Sequence, residues 1–321
     1  MDQISGQTGK IWVTSQLSKA LRPTAIALGN FDGLHRGHQR VMQPMVDWCR
    51  ANAGVVPTLV TFNPHPREYF SGESYQLLTP VREKAQILSA LGIRQLIRLP
   101  FTAALAALTP QAFIETILYE QLQVHHISVG ADFRFGVNQT GDASTLHQVA
   151  ERLGIEVTIA ALFRGDLDLP ERISSTQIRQ AIANHELPLV EQMLGRPYHL
   201  AGEVMTGQQL GRKLGFPTAN LSLPTEKLLP PLGVYAVKVN IEHGSDSCPG
   251  VLNLGHRPTV EGLALTAEVH LLDWQGDLYG QYLTVSLEKY LRAEQKFDSL
   301  DALKRQIYQD CQTAKQVLSL H

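Results

Sequence analysis

Residues Thr24–His38 read Thr-Ala-Ile-Ala-Leu-Gly-Asn-Phe-Asp-Gly-Leu-His-Arg-Gly-His. The first five form a short apolar run that stops at Gly29, the pattern of a strand buried on both faces. Gly29 and Gly33 permit a tight turn and a close backbone approach. From Gly37 to Ala51 the composition becomes helical, with Pro44 either kinking the helix or sitting in its first turn. A strand, a glycine-bearing turn and a helix in that order open an α/β domain. Outward from this stretch the alternation continues. Val55–Phe62, Gln95–Leu99, His126–Val129 and Val157–Ala160 read as strands. Val81–Leu91, Gln111–Leu122, Leu146–Leu153 and Gln177–Asn184 read as helices. The rhythm predicts a parallel sheet with helices on both faces.

Near His185 the rhythm changes. His185–Leu200 reads as one short helix followed by a Gly-Arg-Pro break. Beyond it, Gly233–Ile241, Leu265–Trp274 and Leu283–Leu291 alternate apolar and polar residues between Gly, Pro and Asp turns, which predicts an antiparallel sheet or small barrel. The stretch from Asp298 onward is amphipathic and reads as a terminal helix. Two domains are therefore expected, 1–186 and 187–321, and 321 residues exceed what one compact core usually holds.

The chain is 44% apolar and 18% charged, an ordinary balance for a globular protein, and its formal net charge of -2 gives no electrostatic reason for a nucleic-acid or anionic-membrane partner. Cys49, Cys248 and Cys311 lie far apart without C-x-x-C spacing, which argues against a zinc ribbon or dithiol site and fits a reducing compartment. No stretch reads as a signal peptide or a membrane span, so the cytoplasm is the expected location. Nothing in the sequence bears on oligomeric state.

His35 and His38 are three residues apart at the mouth of a helix, so their rings can share one side. A helix start offers free N–H groups and a positive dipole end, which attract phosphate. Two imidazoles there suit attack on an α-phosphate, where alignment and charge neutralisation carry the reaction. The same residues also fit a glycine turn with two surface histidines. Zinc would need a third ligand that the spacing does not supply. In Ile173-Ser-Ser-Thr-Gln-Ile-Arg179, Ser174 with Gln177 makes a helix capping box. Read functionally, Ser174, Ser175, Thr176 and Arg179 would hold a leaving pyrophosphate. Phe133 and Phe135 suit either a planar ligand or the core.

In the second half, Gly207, Gly211 and Gly215 are spaced by four around Arg212 and Lys213, without the order of a Walker A loop. Such a backbone can cradle phosphates. Pro217-Thr-Ala-Asn220 follows, and the oxygens of Thr218 and Asn220 suit Mg²⁺, a hard cation. Transfer of a phosphoryl group to an alcohol also benefits from a carboxylate that orients the hydroxyl and accepts its proton. Glu268 is the candidate, on the strand face opposite Val269 and Leu271; a solvated strand-face glutamate is the alternative.

GNFDGLHRGHQ, TFNPHP (Thr61–Pro66), VGADFRFG (Val129–Gly136) and ISSTQIR occur in the order found in bacterial bifunctional riboflavin kinase/FAD synthetases, which the chain resembles. PTAN, GVYAV (Gly233–Val237), GVLNLGHRPT (Gly250–Thr259), EVHLLDWQGDLYG (Glu268–Gly280) and LRAEQKFDSLDAL (Leu291–Leu303) resemble the kinase half. The resemblance implies an N-terminal Rossmann-like nucleotidyltransferase domain and a C-terminal riboflavin-kinase β-barrel with a terminal helix. It implies phosphorylation of riboflavin to FMN, then adenylylation of FMN to FAD, both from ATP with Mg²⁺. On this likeness His35, His38, Arg179 and Glu268 are catalytic. Gly29, Asn30, Phe31, Asp32, Gly33, Asn63, Asp132, Phe133, Phe135, Ser174, Ser175 and Thr176 would contact ATP and FMN. Gly207, Gly211, Arg212, Lys213, Gly215, Pro217, Thr218, Asn220 and Arg292 would contact ATP and flavin in the kinase. The rivals are a single-activity member, an adenylyltransferase for another mononucleotide and a flavin- or nucleotide-binding regulator without catalysis; the intact motifs of both halves argue against all three.

Overall fold

The computed structural model describes residues 3–6, 9–161, 173–206, 211, 215–242, 244, 247–259 and 262–319. The chain divides into two compact units, Met1–Ser175 and Thr176–His321.

The first unit is built on a seven-stranded sheet. Its strands are β1 (Gln3–Gly6), β2 (Gly9–Thr14), β3 (Thr24–Leu28), β4 (Val56–Asn63), β5 (Gln95–Pro100), β6 (Val124–Gly130) and β9 (Glu156–Ala160), in the order β1-β2-β5-β4-β3-β6-β9. Two short strands, β7 (Arg134–Phe135) and β8 (Gly141–Asp142), pair separately. Only β1 runs antiparallel to its neighbour; the remaining pairings in the large sheet are parallel. From β3 the chain first builds outward through β4 and β5, then returns to the other side of β3 with β6 and β9. The order therefore reverses at β3, and ligands of open α/β sheets bind beyond the carboxyl ends of the strands at such a switch point.

The apolar runs are continuous because both sheet faces are covered. Ala25 and Ala27 of β3 pack with Met42 and Met45 of the helix Arg36–Ala51 and with Ala85 and Leu88 of the helix Val81–Ala90. Ile26 and Leu28 face the other way, toward Ile114 and Leu118 of the π-helical segment Phe113–Gln121 and Leu146 and Ala150 of the helix Ala143–Arg152. Full burial of each such Leu or Ile contributes roughly 1.5–3 kcal/mol. The helix Arg36–Ala51 runs through Pro44 rather than starting at it. The β1–β2 hairpin is not apparent from the sequence, since its strands carry no sustained alternation.

The second unit is a closed barrel. β10 (His199–Met205), β11 (Ala219–Ser222), β14 (Gly262–Leu271), β13 (Ser247–Thr259), β12 (Gly233–Ile241) and β15 (Tyr282–Arg292) follow one another around it, and β15 pairs back with β10. All its pairings are antiparallel. The helix Leu187–Leu194 precedes the barrel, with Gly195 closing it in the left-handed conformation. The terminal helix Leu300–Ser319 packs Cys311 and Ala314 against Val234, Ala236, Val251 and Leu272. No helix among the described residues is long and apolar enough to cross a membrane.

Candidate active sites

The first site lies at the carboxyl end of β3, at the switch point. The turn from Gly29 to His35 is unusual in its backbone. Phe31 and Leu34 have φ of 47° and 46°, a region that costs a side-chain-bearing residue energy, and Gly33 has φ of 91°. Hydrogen bonds hold the turn in this form. Thr61 Oγ1 donates to the Asn30 carbonyl at 2.9 Å, Thr79 N–H donates to Asp32 Oδ1 at 3.3 Å, and Gly33 N–H donates to Thr79 Oγ1 at 3.0 Å. Phe31, Asp32 and Leu34 are buried, while Asn30 is exposed.

His35 is the N-cap of the helix Arg36–Ala51, and its Nδ1 accepts the His38 N–H at 3.2 Å. The proton of the neutral ring is therefore on Nε2. The His35 and His38 rings stack with centroids 3.6 Å apart and planes 17° apart. The edge of Phe31 meets His38 at 5.1 Å. The pair thus forms one rigid imidazole face at a helix start. Beside it, Ser175 Oγ donates to the Asp32 carbonyl at 2.8 Å, and the Ile173 carbonyl lies 3.8 Å from where a Gly37 Cβ would stand. The helix Ser175–Ala183 begins there, immediately after Ser174, and carries Thr176 and Arg179 into the second unit.

Asn63 ends β4 and is exposed; its Oδ1 accepts from Arg98 Nη2 at 2.5 Å. Asp132 is exposed just beyond β6, and its Oδ1 would stand 3.0 Å from a Cβ on Gly130. Phe133 and Phe135 stack at 5.3 Å, but Phe135 belongs to the buried core while Phe133 only packs against it. Next to Asn63, a further aromatic group was not apparent from the sequence: Phe62, Tyr69, Phe70 and Phe101 meet edge-on at 5.2–5.8 Å, and Phe70 is 71% exposed.

The second site is on the barrel wall. Thr218 Oγ1 donates to Glu268 Oε2 at 3.3 Å. Asn220 on β11 and Asn253 on β13 flank Glu268 in register on either side of β14. Thr218, Asn220, Glu268 and Arg292 line a cavity of about 320 Å³, whose far wall includes Phe297 and Ile307. Thr218 also lines a neighbouring cavity of about 460 Å³, with Pro217, Val269, Leu271, Trp274 and Tyr279. Gly211 lines the first cavity, and a Cβ there would collide with the Phe216 carbonyl and stand 3.2 Å from Thr218 Oγ1. Gly215 has φ of 90°, which favours glycine. Gly207, Arg212 and Lys213 lie outside the described residues.

Arg292 is fixed from the terminal helix. Its Nε lies 3.0 Å and its Nη2 2.8 Å from the two carboxylate oxygens of buried Asp310, which also accepts from Gln306 at 2.9 Å. Asp310 had no sequence signal, because it stands on an amphipathic helix among other polar residues. His270 likewise carries no sequence signal. Its Nδ1 lies 2.7 Å from the Pro217 carbonyl, an acceptor only, so Nδ1 carries the proton and braces the PTAN turn. Among the described residues no group of three or more His, Cys, Asp or Glu is arranged to hold a metal ion. The oxygens of Thr218 and Asn220 beside a carboxylate nevertheless suit a cation that arrives with a nucleotide.

Two family models, several relatives and a solved structure match the chain. Residues 17–177 match the FAD synthetase family model and residues 194–318 the riboflavin kinase model. The bifunctional riboflavin kinase/FMN adenylyltransferase of Escherichia coli K12 is 42% identical over 92% of this chain and 93% of its own. Those of Pseudomonas fluorescens and Listeria monocytogenes are 40% and 35% identical, over 92% and 90% of this chain and 93% and 91% of theirs. A crystal structure described as a macrolide-efflux protein from Streptococcus pneumoniae superposes with a TM-score of 0.80 and 29% identity, over 94% of this chain and 98% of that one.

Proposed function

The chain belongs to the bifunctional riboflavin kinase/FMN adenylyltransferase family, and from that premise we propose how its residues divide the work. Two reactions follow: riboflavin and ATP give FMN and ADP, then FMN and ATP give FAD and pyrophosphate. The adenylyltransferase comprises residues 1–186 and the kinase residues 187–321, a division supported by family matches that end at 177 and begin at 194.

In the kinase step the ribityl 5′-oxygen attacks the γ-phosphorus, the bond from γ-phosphorus to its bridging oxygen breaks, and the hydroxyl proton passes to Glu268. The adenine nucleotide occupies the larger cavity and flavin the smaller one. The observation that carries this reading is Thr218, which lines both cavities and hydrogen-bonds Glu268. Thr218 and Asn220 would hold Mg²⁺, which would supply neutralisation of phosphate charge. Gly211, Gly215 and Pro217 shape the turn around the phosphates, and Arg292, fixed by Asp310, borders the flavin.

In the adenylyl step a phosphate oxygen of FMN attacks the α-phosphorus of ATP and pyrophosphate leaves. Nε2–H of His35 and the ring of His38 donate to phosphate oxygens, aided by the helix start. Gly29–Gly33 shape the nucleotide turn, and Ser174, Ser175, Thr176 and Arg179 take the pyrophosphate. Asn63, Asp132 and Phe133 border FMN, with Phe135 supporting Phe133 from the core. The exposed rings of Phe70 and Tyr69 suit the flavin plane. The cytoplasm, where ATP and riboflavin meet, is the place of action.

Incubation with riboflavin and MgATP, followed by chromatographic separation, should give FMN and then FAD. FMN supplied directly should give FAD and pyrophosphate. Absence of FAD in both mixtures would overturn the dual assignment.

A further inference from the structure

A lysine that neither constellation uses lies under the first turn. Lys84, on the helix Val81–Ala90, is 6% exposed, and its Nζ is 3.5 Å from the Asn30 carbonyl. That carbonyl already accepts from Thr61, so two donors from two elements converge on it. Asp32, 2% exposed, is the acidic group facing the ammonium from the turn; Arg98 faces it from β5. Glu83, its chain neighbour, is also buried. An ammonium buried at this depth is costly unless it is hydrogen-bonded and faces an opposite charge, and here the Asn30 carbonyl and Asp32 supply both. The turn above it contains two left-handed residues that bear side chains, Phe31 and Leu34, and such a conformation persists only where its surroundings hold it.

We infer that Lys84 is a positioning residue for adenylyl transfer, its ammonium pinning the Asn30 carbonyl and balancing Asp32 so that the His35–His38 face stays aimed at the α-phosphate. This rests on the reading of that face as the adenylyl site. Burial lowers the Lys84 pKa to about 8, against the upward pull of Asp32 and with the downward push of Arg98. The charged form is therefore present below about pH 8 and is lost as the pH rises through it.

The test compares wild type with Lys84→Met, Lys84→Arg and His38→Ala in the full chain. FAD formation from FMN and FMN formation from riboflavin are followed across the range from neutral to alkaline pH. In wild type, kcat for FAD formation should fall as pH passes about 8 while the kinase rate does not follow. Lys84→Arg, charged throughout, should keep activity at high pH. Lys84→Met should lose kcat by on the order of 10- to 100-fold, the scale of a displaced catalytic group, with the KM for ATP changing little and kinase activity retained. The inference falls if Lys84→Met forms FAD within about twofold of wild type, or if arginine and methionine behave alike with no change in the alkaline limb. Should the methionine variant fail to fold, the wild-type and arginine profiles still decide. Unchanged FAD formation in His38→Ala would instead remove the adenylyl site on which the inference stands.

Discussion

Thr218 Oγ1 and Glu268 Oε2 lie 3.3 Å apart, joining the PTAN turn to β14 where the two barrel cavities meet. A carboxylate so held is oriented by a side chain that itself lines both cavities. Glu268→Ala should therefore slow FMN formation by about 100-fold or more, as expected for loss of an acid–base group. FAD formation from supplied FMN should continue. A near-normal kinase rate would remove Glu268 from this role.

The stacked His35 and His38 rings make the reciprocal prediction. His38→Ala removes one donor and uncovers the other ring. FAD formation should drop by on the order of 100-fold or more, the scale for loss of a preorganised donor, while riboflavin is still converted to FMN. Equal loss of both activities would mean that the two sites are not separable in the way their motifs imply.

The first unit was largely legible because two-sided burial writes itself as unbroken apolar runs, as in Thr24–Leu28. The barrel was read from β12, β14 and β15, whose alternation is regular. β13 was missed as a strand, since Pro249, Gly250, Gly255 and Pro258 interrupt its pattern; tertiary pairing along its whole length overrides those breakers. The motif residues announce themselves through spacing. The residues that hold them do not: Thr79, Lys84 and Asp310 come from distant elements, and only folding brings them beside Asp32, Asn30 and Arg292.

The exposed aromatic ring of Phe70 gives a test that leaves the fold alone. At 71% exposure it contributes little to stability. Phe70→Ala should change the unfolding free energy by no more than an ordinary surface substitution does, about 0.5 kcal/mol. It should raise the KM for FMN in the adenylyl step by up to about tenfold, the worth of one aromatic stack, without a matching rise for ATP. An unchanged KM for FMN would direct the flavin to Tyr69 or Phe133 instead.

Burial pushes the thiols of Cys49 and Cys311 up to about 11, with Asp310 adding to the effect at Cys311. Thiolate is the nucleophile, so neither should react at neutral pH with an alkylating reagent. Mass spectrometry after brief iodoacetamide treatment of the native protein should find both unmodified. Rapid labelling of Cys311 would show that the terminal helix opens in solution.

Asp310 offers the strongest test of how the terminal helix serves the kinase. Its carboxylate is buried and takes both Nε and Nη2 of Arg292, with Gln306 as a third donor. Asp310→Asn keeps the shape but removes the buried carboxylate charge that the Arg292 guanidinium pairs with. Breaking one side of such a pair costs about 3 kcal/mol. The barrel should therefore unfold at lower temperature, and Arg292 should lose its fixed place beside the smaller cavity. Replacing both members, Arg292→Met with Asp310→Leu, removes the unpaired charge and should restore much of the stability. It should not restore the KM for riboflavin, because the guanidinium itself is gone. If the double variant recovered stability and substrate affinity together, the pair would be a structural staple without a role in positioning flavin.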